Sequence, residues 1–391
     1  MGLLRKLAPD DACYDVIVVG AGPAGACAAR AAAACGVKVL VVEAKQQVGV
    51  PVQCAEYVPA FITRYVPLDP KHIAQEVEHM ETFLPTGQSV RSRFPGYIVH
   101  RHLFDKSLVS LAVRAGARLL IGARAIHLDG NRLTVRTCGG TTRELAAKVI
   151  IGADGPLSRV GTAVNQRNSE FVVAAQYEVV LDVPLQSTCV YFDPNYVGGY
   201  GWVFPKGPTA NVGIGIALMR GRGFRLSDNG AQPDSEARPD GDEAQSRAVP
   251  SVSRLRGMLD NFLDKLSLGL RGVVGRTAGL IPVGGPVRTT VGNVLLAGDA
   301  AGHTHPVTGA GILHAVIAGD AAGRAAARAI AEGNLGALSD YDREWQGTFG
   351  RALARGLERR RLMMRGWSRD PQTLSAVLRE TWVAFHRPRI H

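Results

Sequence analysis

The chain has 391 residues, of which 46% are hydrophobic and 20% charged, and it carries a formal net charge of +11. This is the composition of a soluble globular protein, with chain enough for two domains or one large interrupted domain. No run approaches the roughly 18 uninterrupted apolar residues of a membrane span, and residues 1–12 lack the apolar segment of a secretion signal, so a cytoplasmic location is expected.

Residues 14–19 are a short apolar run, read as a buried parallel strand. Gly20-Ala21-Gly22-Pro23-Ala24-Gly25 follows, then an alanine-rich helix over 24–35 and a second strand over 37–42 that ends at Glu43 and Ala44. Gly20 permits a tight turn and Gly22 lets backbone approach a pyrophosphate. Gly25 lets the helix pack close to the strand, and Ala24 beside it belongs to the expected cofactor-binding turn. Glu43 lies 23 residues after Gly20, the spacing of an acid that accepts ribose hydroxyls. This βαβ unit alone does not separate NAD from FAD.

Residues 61–96 lose that rhythm, carry scattered prolines and are assigned to a different layer. A helix is read over 102–115 and strands over 118–121 and 148–151, the last running into Gly152-Ala153-Asp154-Gly155. From 171 to 217 the pattern turns to strands, over 172–181, 188–192, 199–204 and 210–216, which suit an antiparallel sheet roofing a substrate site. Residues 221–250 are polar and rich in Asp, Ser, Gly and Pro, read as a mobile insertion, with a lid as the rival reading. A strand over 294–297 leads into Ala297-Gly298-Asp299-Ala300, and Pro306-Val307-Thr308-Gly309-Ala310-Gly311-Ile312 opens a long helix reaching 331. From 335 onward the chain reads as helical, interrupted near 367–371.

The two later glycine motifs favour FAD. Asp299 follows a strand, where its carboxylate can accept from a ribityl hydroxyl beside Gly298. Amides of Gly309, Ala310, Gly311 and Ile312 at a helix start would stabilise negative charge on the N1/C2 edge of a reduced flavin. Asp154 and Gly155 are expected to face the cofactor. The fold class is therefore α/β: a Rossmann-like FAD-binding domain (1–60, 97–165 and 275–335), an inserted antiparallel-sheet substrate domain (61–96 and 166–274) and a helical C-terminus (336–391). His303 and His305 invite a metal reading, but no third ligand is evident and no metal is expected. Six cysteines stand far apart without a C-x-x-C pair, against a disulfide framework or a zinc site.

With these motifs the chain resembles the geranylgeranyl reductase family, within the wider p-hydroxybenzoate-hydroxylase-like flavoproteins, over about residues 14–330. Pro51-Val52-Gln53-Cys54-Ala55-Glu56 resembles the family's cysteine-bearing loop beside the isoalloxazine. Tyr200-Gly201-Trp202-Val203-Phe204-Pro205-Lys206-Gly207 is similar to its Tyr-x-Trp-x-Phe-Pro signature. The resemblance implies that Cys54 lies near the reactive face of the flavin, orienting substrate or relaying a proton, and that Arg101 contacts the cofactor. It also implies a substrate slot lined by Tyr200, Trp202, Phe204 and Pro205. On a strand the three aromatics share a face, which suits a prenyl chain, an ordinary sheet core being the rival. The loop departs from the family's glycine-rich form, because Ala55-Glu56-Tyr57 follow the cysteine, and this makes Glu56 a candidate proton donor.

The implied activity is hydride transfer from reduced FAD to an isoprenoid carbon–carbon double bond, with electrons from NAD(P)H or a reduced ferredoxin. An FAD-dependent aromatic monooxygenase on the same scaffold is the alternative, and a flavin-binding accessory protein without turnover is a third reading. From Arg351 onward ten arginines stand against three acids. Nucleic acid, an anionic membrane and an anionic substrate all suit that surplus. With an isoprenoid or prenylated lipid as substrate, peripheral membrane contact is expected and nucleic acid is not.

Overall fold

The computed structural model describes residues 13–218, 224–227, 230–233, 252–266 and 269–386. β1 (Cys13–Val19), α1 (Pro23–Ala34) and β2 (Val39–Glu43) form the expected βαβ unit. After β3 (Tyr57–Pro59), β4 (Ile73–Phe83) and β5 (Ser89–Val99) come α2 (Arg101–Arg114) and β6 (Arg118–Ile121). A meander of β7 (Ala123–Asp129), β8 (Arg132–Thr137) and β9 (Thr142–Gly152) leads to the short α3 (Arg159–Ala163). Four strands follow: β10 (Phe171–Leu181), β11 (Thr188–Tyr191), β12 (Gly201–Lys206) and β13 (Thr209–Ala217). Within the insertion, β14 (Phe224–Ser227) and β15 (Gly230–Pro233) pair as a hairpin. The rest of 221–250, with its reading as a mobile lid, lies outside the described residues.

The second half continues with α4 (Val252–Lys265), β16 (Leu270–Pro282), β17 (Thr290–Val291), β18 (Val294–Leu296) and α5 (Ile312–Ala331). α6 (Ser339–Trp345) runs through a π-type turn at Gln346–Gly350 into α7 (Arg351–Arg365), and α8 (Pro371–Thr381) closes the chain. The break before α8 has a local cause. The Asp370 carboxylate accepts from the Thr373 amide at 2.8 Å, and Pro371 occupies the first helical position, where no amide hydrogen is needed.

The first sheet has a parallel core in the order β18-β9-β1-β2-β6. Val16, Ile17 and Val18 are all fully buried, because helices cover one face and the β7–β8–β9 meander covers the other. The alanine-rich pattern of α1 is explained by its partner. A side chain at Gly319 of α5 would sit 2.1 Å from the Ala24 carbonyl, so the two helices lie backbone against backbone.

The second sheet runs β16-β10-β13-β12-β11-β4-β5-β3. Its pairings are antiparallel, as expected, apart from the parallel contact of β4 with β11. Residues 57–59 and 275–282, expected in the flavin layer, belong to this sheet instead. β16 pairs along all of β10, from Phe171 opposite Pro282 to Leu181 opposite Leu270, so the chain returns to the first sheet only after Pro282. One face of the sheet is covered by α4 through Leu255, Leu259 and Phe262. The other carries Tyr200 and Phe204 and is closed by Met363, Leu374, Leu378 and Trp382 of the C-terminal helices and the residues just after α8.

Candidate active site

Sheet register brings the three glycine motifs side by side. The Ala153 amide donates to the Val19 carbonyl at 2.8 Å, and the Ala297 amide to the Gly152 carbonyl at 2.9 Å. Gly20 has a φ of +101°, and a Cβ there would meet the Ala153 carbonyl oxygen at 2.3 Å, so this crossing requires glycine. Glu43 is held at the mouth of the turn by the Ala21 amide at 2.7 Å and the Lys45 amide at 2.8 Å, with Ala44 between. The N-terminus of α1, at Gly22, has no side-chain cap, and space is open above that glycine. The start of α5, at Gly311, is likewise uncapped by any side chain. Two helix starts at the carboxyl ends of parallel strands, with free amides and a nearby carboxylate, fit the phosphates and hydroxyls of FAD.

Asp299 is half-buried, and its Oδ1 accepts from Thr304 Oγ1 at 2.9 Å. Burial raises its pKa, with Thr304 and the Arg101 charge opposing. Asp154 departs from expectation. Rather than facing a ligand, its carboxylate accepts from Ser158 Oγ at 2.5 Å and the Arg159 and Val160 amides at 2.7 and 3.2 Å. It thereby caps α3 and holds the turn at Gly155.

The cysteine loop is sutured to the second sheet residue by residue. Gln53 Nε2 donates to the Ala278 carbonyl of β16 at 2.8 Å. The Cys54 carbonyl accepts from Gln176 Nε2 of β10 at 3.2 Å, and the Ala55 carbonyl from Asn211 Nδ2 of β13 at 3.3 Å. Glu56, with φ +71°, is 2% exposed. Its carboxylate accepts from Lys206 Nζ at 2.6 Å, Asn211 Nδ2 at 2.9 Å and the Arg101 amide at 2.9 Å. A carboxylate with three such donors clamps three elements together. Its amide donates to Cys54 Sγ at 3.2 Å. Burial pushes the Cys54 thiol pKa up, opposed by the Arg101 guanidinium and the Glu56 amide. Arg101 itself is fixed by a two-pronged bond to Asp105, at 2.9 Å for each nitrogen.

The aromatic row lies on one face of β12 and its lead-in, as the alternation requires. Tyr200 Oη donates to the Thr308 carbonyl at 2.5 Å, linking the row to the loop before α5. Trp202 Nε1 donates to Gln176 Oε1 at 2.9 Å, so one glutamine joins the row to the Cys54 carbonyl. Phe204 meets the Tyr57 ring edge-on at 6.2 Å. Pro205 alternates onto the opposite face with Val203, away from the other three. A small cavity lies beside the row, lined by Tyr200, Trp202, Val307, Gly309, Ile281 and Arg360.

Sequence reasoning missed Gln176, Lys206, Asn211 and Arg360. Only Lys206 lay within a quoted motif; the others needed the register of the second sheet or the docking of α7. Arg360 stood out merely as one arginine of a basic tail. It is 3% exposed, donates to the Gly198 and Pro306 carbonyls at 3.1 and 3.2 Å, and burial lowers its pKa to about 10. His303 is fully buried against Trp345 and Phe349, which accounts for it as a packed ring. Among the described residues no cluster of His, Cys, Asp and Glu could hold a metal.

Residues 15–158 match the family model described as FAD dependent oxidoreductase, and residues 244–369 match the one described as lycopene cyclase protein. The chain is 39% identical over 352 residues to digeranylgeranylglycerophospholipid reductase 1 of Methanopyrus kandleri, covering 86% of this chain and 87% of that one. It is 34% identical over 375 residues to the digeranylgeranylglycerophospholipid reductase of Methanothrix thermoacetophila, covering 90% and 88%. Among solved structures, a geranylgeranyl bacteriochlorophyll reductase-like protein of Thermoplasma acidophilum superposes with a TM-score of 0.76 at 25% identity, covering 95% and 96%.

Proposed function

Because this chain belongs to the geranylgeranyl reductase family of FAD-dependent oxidoreductases, we propose that it hydrogenates double bonds in the geranylgeranyl chains of a glycerophospholipid. The observation that carries the reading is the joint between the aromatic row and the cysteine loop through Gln176 and the Lys206–Glu56 pair. The relatives' names favour a reductase over the aromatic monooxygenase. When bound, FAD supplies the hydride.

The chain's own residues bind, orient and protonate. Gly20, Gly22, Ala24, Gly25, Glu43, Asp299 and the amides of Gly311 and Ile312 would hold the cofactor, with Arg101 at its reactive side; the Gly309 and Ala310 amides, also expected there, donate instead to the His305 carbonyl at 2.9 Å and Thr308 Oγ1 at 3.4 Å. Tyr200, Trp202 and Phe204 would line the lipid slot, with Trp382 and Met363 across from them. Cys54 would supply the proton. Its raised pKa keeps the thiol protonated until needed, while Arg101 and the Glu56 amide stand ready to stabilise the thiolate. Glu56, previously the rival donor, serves as the clamp.

We take the electron donor to be NAD(P)H or a reduced ferredoxin. Peripheral membrane contact is supported by α7, whose buried side (Leu353, Gly356, Arg360, Met363) packs on the protein while Arg351, Arg355, Arg361 and Arg365 are exposed beside Leu362. No described helix is long and apolar enough to cross a membrane.

The test is incubation of the FAD-loaded protein with reductant and digeranylgeranylglyceryl phosphate, followed by mass spectrometry of the lipid. Product heavier by pairs of hydrogens supports the reading. Unchanged lipid, with an aromatic compound hydroxylated under air, would transfer the reading to the monooxygenase.

A further inference from the structure

We propose that Glu178, Lys206 and Glu56 form a proton inlet that recharges Cys54 after each reduction. The inference rests on the reading of Cys54 as donor. Saturating one double bond breaks the alkene π bond and forms two C–H bonds, one from the flavin's hydride and one from the Cys54 Sγ–H. The flavin is left oxidised and Cys54 a thiolate. With cofactor and an apolar chain filling the groove, the replacement proton must come through the protein.

The three side chains are graded from surface to interior. The Glu178 side chain is 31% exposed, Lys206 9% and Glu56 2%. Lys206 Nζ stands 3.4 Å from Glu178 Oε2 and 2.6 Å from Glu56 Oε2. Thr209 Oγ1 steadies the outer carboxylate, donating to Glu178 Oε1 at 2.9 Å. At the inner end the Glu56 amide holds Cys54 Sγ, so the last acceptor and the thiolate belong to residues two apart in one loop. Arg101 and Asp105, with His100 and His102 at the start of α2, are the other charged or titratable groups bordering this track. Burying an ion pair costs desolvation that an apolar pair would avoid, and proton supply gives that cost a purpose.

In the proposed transfer the Lys206 ammonium gives its proton to the Glu56 carboxylate, leaving amine and acid. The acid passes the proton to the thiolate, through a water or a turn of the thiol. The amine then regains a proton from solvent by way of Glu178. The net change is one proton moved from water to sulfur, with nothing oxidised or reduced.

The experiment measures turnover of the FAD-loaded protein on digeranylgeranylglyceryl phosphate with dithionite as reductant. Glu178 is near the surface, so Glu178→Ala is expected to keep the fold and FAD content while losing about tenfold in turnover, the low end for losing a proton-transfer group. Added formate, a small acid able to enter the vacated position, should restore several-fold. Lys206→Met should lose at least as much turnover while its flavin still reoxidises in air at the wild-type rate. Wild-type turnover in Glu178→Ala, or a loss that formate leaves unrelieved, overturns the inlet. Wild-type turnover in Cys54→Ser overturns the donor reading, a failure separate from the inlet's, which is read at Glu178.

Discussion

The Tyr200 hydroxyl and the Thr308 carbonyl lie 2.5 Å apart and join the first aromatic of the slot to the loop that opens α5. The bond spans 108 residues of sequence and ties the edge of β12 to that loop. Tyr200 is half-buried, and desolvation raises its pKa, so the hydroxyl remains a donor. Tyr200→Phe keeps the ring contacts with Phe192 and Trp382 but leaves the half-buried Thr308 carbonyl without this donor. The expected loss is about 1 kcal/mol. A lowered urea midpoint with FAD content unchanged would bear this out; an unchanged midpoint would not.

At the cofactor turn, Gly20→Ala is expected to abolish FAD retention, because its Cβ would strike the Ala153 carbonyl. Gly87→Ala is the matched control. It also has positive φ, at +82°, but nothing stands within 4 Å of the added carbon. Flavin absorbance per purified protein should vanish in the first variant and persist in the second.

Three histidines set an acid limit on stability. Burial pulls His303 down to about 3, and His305 and His314 to about 4. In the unfolded chain each titrates near about 6.5. Below that pH the unfolded state binds protons that the folded state refuses, so stability is full above about 6.5 and falls as pH drops toward 4. The thermal midpoint should decline across that window, and His303→Leu should flatten the decline. Identical slopes in the two proteins would contradict this account of His303.

The proposed membrane contact predicts that charge on the outer face of α7 matters for binding. The combined variant Arg355→Glu, Arg361→Glu, Arg365→Glu should lose binding to anionic vesicles in a sedimentation assay. Wild-type binding should weaken steeply with salt, since exposed charges are screened over about 8 Å at physiological ionic strength. Equal binding of both proteins to anionic vesicles would remove this face from the contact.

The parts of the fold written in contiguous sequence were legible from it. Strand, turn and helix around Gly20, and the loop from Asp299 to Ile312, are local patterns whose residues explain themselves. β16 was not legible, because Gly272, Gly275 and Gly279 dilute its apolar pattern and its stability comes from pairing along β10. The β4–β5 hairpin was hidden for a related reason: charges such as Glu76, Arg91 and Arg93 crowd its strands. For the candidate site, the family's short motifs single out Cys54, Arg101 and the aromatic row as candidates. Their ties were not legible, since Lys206 meets Glu56 across 150 residues and Gln176 meets Cys54 across 122. Asp154 shows the converse limit. A carboxylate in a glycine turn serves a ligand or caps the next helix with the same sequence, and only the positions of Ser158 and Arg159 decide.

The most direct measurement is an anaerobic single-turnover titration of the reduced, FAD-loaded protein with digeranylgeranylglyceryl phosphate, followed by flavin absorbance. The account predicts that the oxidised flavin bands return in proportion to lipid added, with matching saturation of the geranylgeranyl chains. A reduced flavin that ignores the lipid and reoxidises only when air is admitted would contradict it.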